Sequence, residues 1–453
     1  MTWVSLSMQL SSIMSVIFVG YVVVIVIPYL RRKPKPAGDA TAMQWHFFVP
    51  CRDEEAVIGP TIDYLRSTFA TAHVWVIDDD SDDATGQIVA SRARQDPHVH
   101  LVQRRRPEAR TGKGDALNTA YRELLTYLGP HADDPDTIVA VVDADGRPAP
   151  NCLDICAGPK LFGNPRVGAV QIEVRMINRD ERTPLPSRGR AANFLGRTLV
   201  RMQDMEFRTV IAAVQHTRTH TRTVGMGGNG QFTRLIALRT LDDGDRRAWR
   251  GSLLEDFELG VHLLLAGWRS EFTADTWVDQ EALFDLRRYL TQRTRWGQGV
   301  MQCARYWGRI WRSNVIPNTG LVEMSYYILQ PWLTLLGTLV YPVPLAILAY
   351  NLAHYPDDLM SFMLNGGFLL LGSYILAGFG PFFIWGPIYV RRCEPQAGAW
   401  RGIGWGLAYI VYVFGFYITT WRAFARIVTG RSGWAKTRRN AENNITGPVA
   451  KEA

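Results

Sequence analysis

The sequence predicts an α/β domain built on a mostly parallel sheet, together with helices that span a membrane. Short apolar runs alternate with helical patterns between residues 44 and 145, and acidic residues follow several of these runs. Such alternation is typical of βαβ units, whose parallel sheets bind ligands beyond the carboxyl ends of the strands. The membrane part is predicted by four long stretches without charge in the 453-residue chain.

The uncharged stretches are residues 1–30, 324–356, 359–390 and 402–421. Each is long enough to cross a hydrocarbon layer of roughly 30 Å. The first lacks a basic leader and a small-residue cleavage site, so we expect a retained anchor. The predicted division is an anchor at 1–30, a basic linker at 31–43, a soluble domain at 44–286, interfacial helices at 287–320, about three spans at 321–428 and a basic tail at 429–453.

The net charge of +8 indicates a membrane surface rather than nucleic acid. Basic residues such as Arg31, Arg32 and Lys33 directly follow a predicted span, and no nucleic-acid-binding module is recognisable. We therefore expect a multi-pass plasma-membrane protein with its soluble domain in the cytoplasm. One span before the domain and three after it would put the basic tail outside. Either one apolar stretch is interfacial or re-entrant, or the tail is an exception to the positive-inside tendency.

The soluble domain is predicted to begin with four strands separated by three helices. The strands are expected at 45–50, 74–77, 99–102 and 138–142, and the helices at 56–69, 84–94 and 114–128. Beyond residue 150 the pattern predicts a strand at 167–174, helices at 191–216 and 252–266, and a flexible glycine-rich turn at 225–230. The basic and aromatic segment 287–311 is typical of a helix lying on the membrane.

Asp143 and Asp145 follow the fourth strand, one residue apart. Paired carboxylates at a strand end are suited to Mg²⁺ or Mn²⁺ and leave room for phosphate oxygens. An Asp-x-Asp sequence alone is weak evidence, because acidic residues are common in loops.

Other candidate residues occur in a fixed order along the chain. Acids follow the first two strands, Lys113 lies between two glycines, a Glu-Asp pair begins a helix, and a Gln-x-x-Arg-Trp sequence precedes the second membrane stretch. Taken singly, each has an ordinary explanation, such as acids favoured at helix N-termini or an interfacial helix with an aromatic anchor. The candidates in chain order are Asp53, Asp79, Lys113, Asp143, Asp145, Glu255, Asp256, Gln292, Arg295 and Trp296.

The order of these motifs resembles the membrane-integrated family 2 glycosyltransferases. These are inverting enzymes of the GT-A fold that include cellulose, chitin, hyaluronan and poly-N-acetylglucosamine synthases. The resemblance covers roughly residues 45–300 and the flanking spans. In the family's Thr-Glu-Asp motif, Leu254 replaces the threonine here. The segments 203–207, 228–230 and 434–437 also resemble family segments.

The resemblance implies a role for each matched residue. Asp256 would be the catalytic base with Glu255 beside it, and Asp143 and Asp145 would hold the metal, Asp145 as the direct ligand. Asn229, Glu255 and Trp296 would face the acceptor. The residues implied to bind the UDP-sugar donor are Asp53, Asp79, Lys113, Asp143, Gln292, Arg295 and Trp296.

Two activities fit this resemblance. The leading expectation is a processive synthase that elongates a β-linked glycan and passes it across the bilayer, either alone or as a homo-oligomer. The alternative is a non-processive enzyme that adds one sugar to a lipid. A non-catalytic scaffold or transporter is disfavoured, because the matched acids are all present and the predicted spans carry no charge.

Overall fold

A computed structural model of the protein describes residues 3–431. Its sheet has eight strands in the order β3-β2-β1-β4-β7-β6-β8-β5. β1 pairs in parallel with β2 and β4, and β2 pairs in parallel with β3. The strands are β1 Gln44–Cys51, β2 His73–Asp79, β3 Val99–Arg104, β4 Thr137–Val141, β5 Arg147–Pro148, β6 Val167–Met176, β7 Gln231–Arg234 and β8 Arg269–Gln280.

The predicted parallel half of the sheet is confirmed, with bounds within a few residues of those expected. β5, β7 and β8 were not predicted. β7 is antiparallel to both β4 and β6, and it lies in the middle of the sheet. Its side chains include Gln231, Thr233 and Arg234, all buried, so the strand has no apolar run that could have identified it.

The sheet is covered on both faces, which explains why β1, β2 and β4 are mostly apolar. Phe47 and Val49 of β1 contribute to the core on one face, and Phe48 contributes to the core on the other. The soluble-domain helices are α2 Ile58–Thr68, α3 Thr85–Gln95, α4 Lys113–Leu128, α5 Cys152–Cys156, α6 Gly189–Met205, α7 Ala212–Thr221, α8 Leu235–Arg239 and α9 Glu255–Leu265.

Two of the predicted helices are interrupted. The expected helix at 191–216 contains a π-helical turn at Glu206–Ile211 between α6 and α7. The interfacial segment divides into α10 Leu286–Cys303 and α11 Trp307–Trp311 around a 3₁₀ turn.

Four helical stretches have the length and composition to span a membrane, in agreement with the sequence: Ser5–Arg31, Asn318–His354, Leu371–Cys393 and Ala399–Val428. Their helices, with one short helix between them, are α1 Trp3–Arg31, α12 Asn318–Val340, α13 Pro342–His354, α14 Pro356–Phe362, α15 Phe368–Phe383, α16 Trp385–Cys393 and α17 Ala399–Val428. Residues 434–437, which resembled a family segment, lie outside the described residues.

Candidate active site

One cavity of about 650 Å³ begins at the carboxyl ends of the parallel strands and extends to the membrane helices. Its wall contains most of the side chains that the sequence singled out. They are Asp79, Lys113, Asp143, Asn229, Glu255, Asp256, Gln292, Arg295 and Trp296. Asp79 and Trp296, which are 217 positions apart in sequence, therefore border one space.

Lys113 occupies the centre of the polar end. It is the first residue of α4, and its Nζ donates to Asp143 Oδ1 at 2.7 Å and to the Gly228 carbonyl at 2.7 Å. Glu255 Oε1 is 4.0 Å from the same Nζ. Burial tends to lower the pKa of Lys113, but the charges of Asp143 and Glu255 outweigh it and the pKa is raised. The lysine is therefore a permanent cation among carboxylates.

Glu255 and Asp256 are the first two residues of α9 and are both buried. Asp256 Oδ1 accepts a hydrogen bond from the Phe257 amide at 2.7 Å. Burial and the neighbouring Glu255 carboxylate raise the pKa of Asp256 to about 7, and burial also raises the pKa of Glu255. A carboxylate with a pKa near neutrality is suited to taking up a proton as a general base.

The glycine-rich turn lies against this pair. A Cβ atom at Gly228 would be 3.1 Å from both Asp256 Oδ2 and Lys113 Nζ, so a side chain there would crowd both groups. Asn229 Oδ1 accepts from the Asp143 amide at 3.2 Å, and Asn229 Nδ2 donates to Gln280 Oε1 at 2.9 Å. Asn229 was predicted to face the acceptor, and the structure also shows it supporting the backbone of Asp143.

Gln171 was not identified from the sequence. Its Oε1 accepts from the Gly227 amide at 2.8 Å, and its Nε2 donates to the Asn229 carbonyl at 2.9 Å. A buried glutamine on β6, inside a run of apolar residues, was the available signal. Gln171 therefore holds the middle of the glycine-rich turn, at Gly227 and Asn229, in place.

The Asp79 carboxylate accepts hydrogen bonds from two arginine residues of the protein itself. Its Oδ1 accepts from the Arg104 guanidinium and from the Arg110 amide, the latter at 3.1 Å. Burial raises the pKa of Asp79 despite these contacts. Asp53 is not among the described residues that line the cavity. Its Oδ1 accepts from the Asp82 amide at 2.8 Å, beside the cavity rather than on its wall.

The residues present can supply part of the coordination shell of a hard divalent cation. Asp143 is on the cavity wall, and Asp145 is two residues away, with its Oδ2 accepting from the Glu281 amide at 3.1 Å. Within residues 3–431 no cluster of three or more His, Cys, Asp or Glu side chains is arranged to hold a metal. Two carboxylates would leave the remaining coordination positions to water and phosphate oxygens, as is usual for Mg²⁺.

Gln292, Arg295 and Trp296 project from α10 into the cavity. Between them, Arg293 is buried and forms a bidentate pair with Glu206, at 2.9 and 2.6 Å. Its guanidinium stacks on the Trp296 ring at 4.3 Å. The sequence assigned no role to Glu206 or Arg293, although both lie inside segments that it singled out. They position the indole that borders the cavity.

The far end of the cavity is apolar and aromatic. Its wall is formed by side chains from α1, α12, α16 and α17, including Val22, Tyr326, Trp385, Val413 and Phe416. The polar end and the apolar end are parts of one space, so a molecule bound here could be both polar and hydrophobic.

A sequence profile described as "glycosyltransferase like family 2" matches residues 44–299. The chain is 26% identical to the beta-monoglucosyldiacylglycerol synthase of Synechocystis sp. over 434 residues, which are 93% of this chain and 79% of that protein. It is 27% identical to a probable glucomannan 4-beta-mannosyltransferase of Arabidopsis thaliana, over 51% of this chain and 39% of the relative.

A mannosyltransferase from Pyrobaculum calidifontis, solved in complex with GDP-Man and Mn²⁺, has a similar fold. The TM-score is 0.58 at 18% identity, and the superposition covers 95% of this chain and 99% of the other. The similarity extends over the sheet and the helices beyond it.

Proposed function

The chain belongs to glycosyltransferase like family 2 and has the predicted GT-A fold, and we propose that this glycosyltransferase adds a single hexose to a diacylglycerol-like lipid. The family profile covers the residues that line the polar end of the cavity. The long match to a monoglucosyldiacylglycerol synthase favours this glycolipid activity over the glycan synthesis that the sequence first suggested.

The observation that carries the proposal is the continuous cavity. Its polar end contains Lys113, Asp143 and Asp256, and its other end is lined by apolar side chains of the membrane helices. An acceptor with a hydroxyl group attached to acyl chains matches this division. We assign its hydroxyl to Asp256, near Glu255 and Trp296, and its chains to the space between α1, α12 and α17.

The donor is proposed to be a UDP-hexose whose diphosphate lies near Lys113 and Arg295. Both cations line the polar end of the cavity. Of the acids Asp53 and Asp79, both implied by the resemblance to bind the donor, Asp79 is on the wall and Asp53 is not, so we assign the nucleoside to the side of Asp79. Mg²⁺ or Mn²⁺ held by Asp143 and Asp145 would supply further positive charge at the diphosphate.

The proposed reaction is one displacement at the anomeric carbon. Asp256 accepts the proton of the acceptor hydroxyl as its oxygen forms the new bond. The bond to the diphosphate oxygen breaks on the opposite face, and UDP leaves with the electron pair. An α-linked donor therefore gives a β-glycoside. Lys113 and Arg295 stabilise the negative charge that develops on the leaving group.

A β-glycan synthase is the second candidate. α1, α12, α17 and α15 contact one another in turn, and side chains of all four border the apolar end of the cavity. A space that continues from the polar end to these helices also suits a growing polymer.

The proposal is tested with the full chain in nanodiscs, supplied with diacylglycerol, Mn²⁺ and a panel of radiolabelled UDP-sugars. We expect a product that partitions into organic solvent and carries one sugar. Asp256→Asn should lower its formation by about 10²- to 10⁴-fold, whereas Asp115→Asn, at an exposed position of α4, should not. Long water-soluble polymer with no lipid product would overturn the proposal in favour of the second candidate.

A further inference from the structure

We propose that α17 lies along the membrane surface beside the soluble domain and does not cross the bilayer. Its end would then be on the same side of the membrane as the active site. Length and composition alone allow Ala399–Val428 to span. The contacts of its two ends do not fit a crossing, and this inference is independent of the substrate.

The first part of α17 touches the soluble domain. The Arg201 guanidinium of α6 lies 5.0 Å from the centre of the Trp405 ring. About two turns further on, the Tyr412 hydroxyl donates to Glu206 and lies 3.3 Å from Arg293 Nη2. Both partners belong to the site described above.

The last part of α17 touches the same surface. Arg426 Nε donates to Gln298 Oε1 at 2.7 Å, and Gln298 Nε2 donates to the Arg431 carbonyl at 2.7 Å. Between these points, a Cβ atom at Gly297 would lie 3.5 Å from Ala423 Cβ. From Tyr412 to Arg431, α17 therefore contacts one segment of α10, residues 290–298.

α10 is fixed to the soluble domain at both ends. Asp285 caps its first turn, and Gln302 near its last turn accepts from the Leu253 amide at 3.0 Å, beside the proposed catalytic pair. Arg305, which follows α10, pairs with Glu258 of α9. A helix that stays against α10 along this length also stays against the soluble domain.

The length of α17 makes this contact pattern decisive. From Trp405 to Arg426 a helix rises about 32 Å at 1.5 Å per residue, close to the roughly 30 Å of a hydrocarbon layer. If α17 crossed the bilayer, Arg426 would reach the opposite surface. Instead, Trp405 contacts α6 of the soluble domain, and Arg426 contacts α10, which is itself held against that domain.

Most of the remaining face of α17 suits lipid, while Phe414 contacts Phe379 of α15 and Trp421 donates to Thr338 of α12. Its exposed apolar residues recur every three, four or seven positions and so form one stripe along the helix. The residues on the other side of the helix are buried, among them Gly402, Gly406, Tyr409 and Tyr412. Such division is typical of a helix lying in the membrane interface. The stripe consists of Trp400, Ile403, Leu407, Val411, Phe414, Ile418, Trp421 and Val428.

This placement also removes the conflict in the predicted topology. With α17 in the interface, three crossings remain, and the chain after α17 lies on the side of the soluble domain. Arg392 and Arg431 are then on the same side as Arg31, as the positive-inside tendency favours.

The test is cysteine accessibility in the full chain, in intact cells, with a membrane-impermeant maleimide. Three exposed positions are compared: Arg431→Cys after α17, Lys160→Cys in the soluble domain and Asp357→Cys between α13 and α15. We expect Arg431→Cys to react like Lys160→Cys, only after permeabilisation, while Asp357→Cys reacts in intact cells. The unsubstituted chain measures background labelling of the native cysteines.

The proposal would be overturned if Arg431→Cys reacted under the same conditions as Asp357→Cys and not under those of Lys160→Cys. This outcome does not depend on which way the protein is oriented in the membrane. A second measurement covers the case in which a cysteine variant fails to fold. Full-chain fusions to GFP or alkaline phosphatase at the C-terminus should be fluorescent and phosphatase-inactive, respectively. An active phosphatase fusion would contradict α17 lying in the interface.

Discussion

Lys113 Nζ lies 2.7 Å from Asp143 Oδ1 and thereby ties the start of α4 to the end of β4. The same nitrogen is 4.0 Å from Glu255 Oε1. One cation thus joins the carboxylate assigned to the metal side with the pair assigned to proton transfer. A change of charge at any one of Lys113, Glu255 and Asp256 should therefore shift the pKa values of the other two.

The first prediction concerns pH. Because burial and Glu255 raise the pKa of Asp256 to about 7, and only the ionised form can accept a proton, kcat/KM should fall as the pH drops through about 7. Glu255→Gln removes the negative charge beside Asp256, so the acidic limb of this variant's pH profile should move to lower pH. pH profiles of both proteins, at saturating metal, make the comparison, and an unchanged limb would contradict the coupling.

Lys113→Met should move the same limb in the opposite direction. The lysine lowers the pKa of Asp256 in the native site, so its removal should shift the limb to higher pH. The loss of a cation near the diphosphate should also lower kcat/KM by about 10²-fold. UDP affinity, measured calorimetrically, should fall in parallel. Lys160→Met, at an exposed position, serves as the control and should leave all three quantities unchanged.

Gly228→Ala tests the geometry of the glycine-rich turn. The new methyl group would stand 3.1 Å from both Asp256 Oδ2 and Lys113 Nζ. Displacing a catalytic group by a fraction of an ångström should reduce kcat by roughly 10- to 100-fold. At Gly227 the nearest atom would be Gln171 Oε1 at 3.6 Å, an ordinary contact. Gly227→Ala should therefore retain activity, and equal losses in the two variants would argue against a specific role for Gly228.

Arg293→Met tests the buried pair beneath Trp296. It leaves the Glu206 carboxylate without its bidentate partner, and breaking a buried pair typically costs about 3–5 kcal/mol. We expect a fall in the thermal midpoint of more than about 5 °C, measured by fluorescence in detergent. Arg287→Met, at an exposed position of the same helix, should leave the midpoint unchanged.

The first half of the fold was predictable because its signals are local. β1, β2 and β4 are mostly apolar runs followed by acids, β3 is a short apolar run followed by arginines, and the helices between them have their own periodicity. The order of Lys113, Asp143, Asp256 and Arg295 was readable for the same reason. Each motif occupies a few adjacent residues, so its spacing is a property of the sequence itself.

The roles of other residues of the site could not be predicted from the sequence, because these roles depend on tertiary contacts. Gln171 and the Glu206–Arg293 pair gain their meaning from partners far away in sequence, which residue spacing does not specify. The predicted donor ligand Asp53 lies off the cavity wall, because its carboxylate pairs with the Asp82 amide of the next loop.

The sequence by itself determined the soluble domain, the order of the polar residues proposed for a nucleotide-sugar site and four apolar stretches able to enter a membrane. Only the tertiary structure decided which of these residues share one cavity, and it placed one end of α17 against α6 and the other against α10. The physical reason is that hydrophobicity records how much a segment avoids water, whereas its position is set by directional contacts such as Tyr412–Glu206 and Arg426–Gln298.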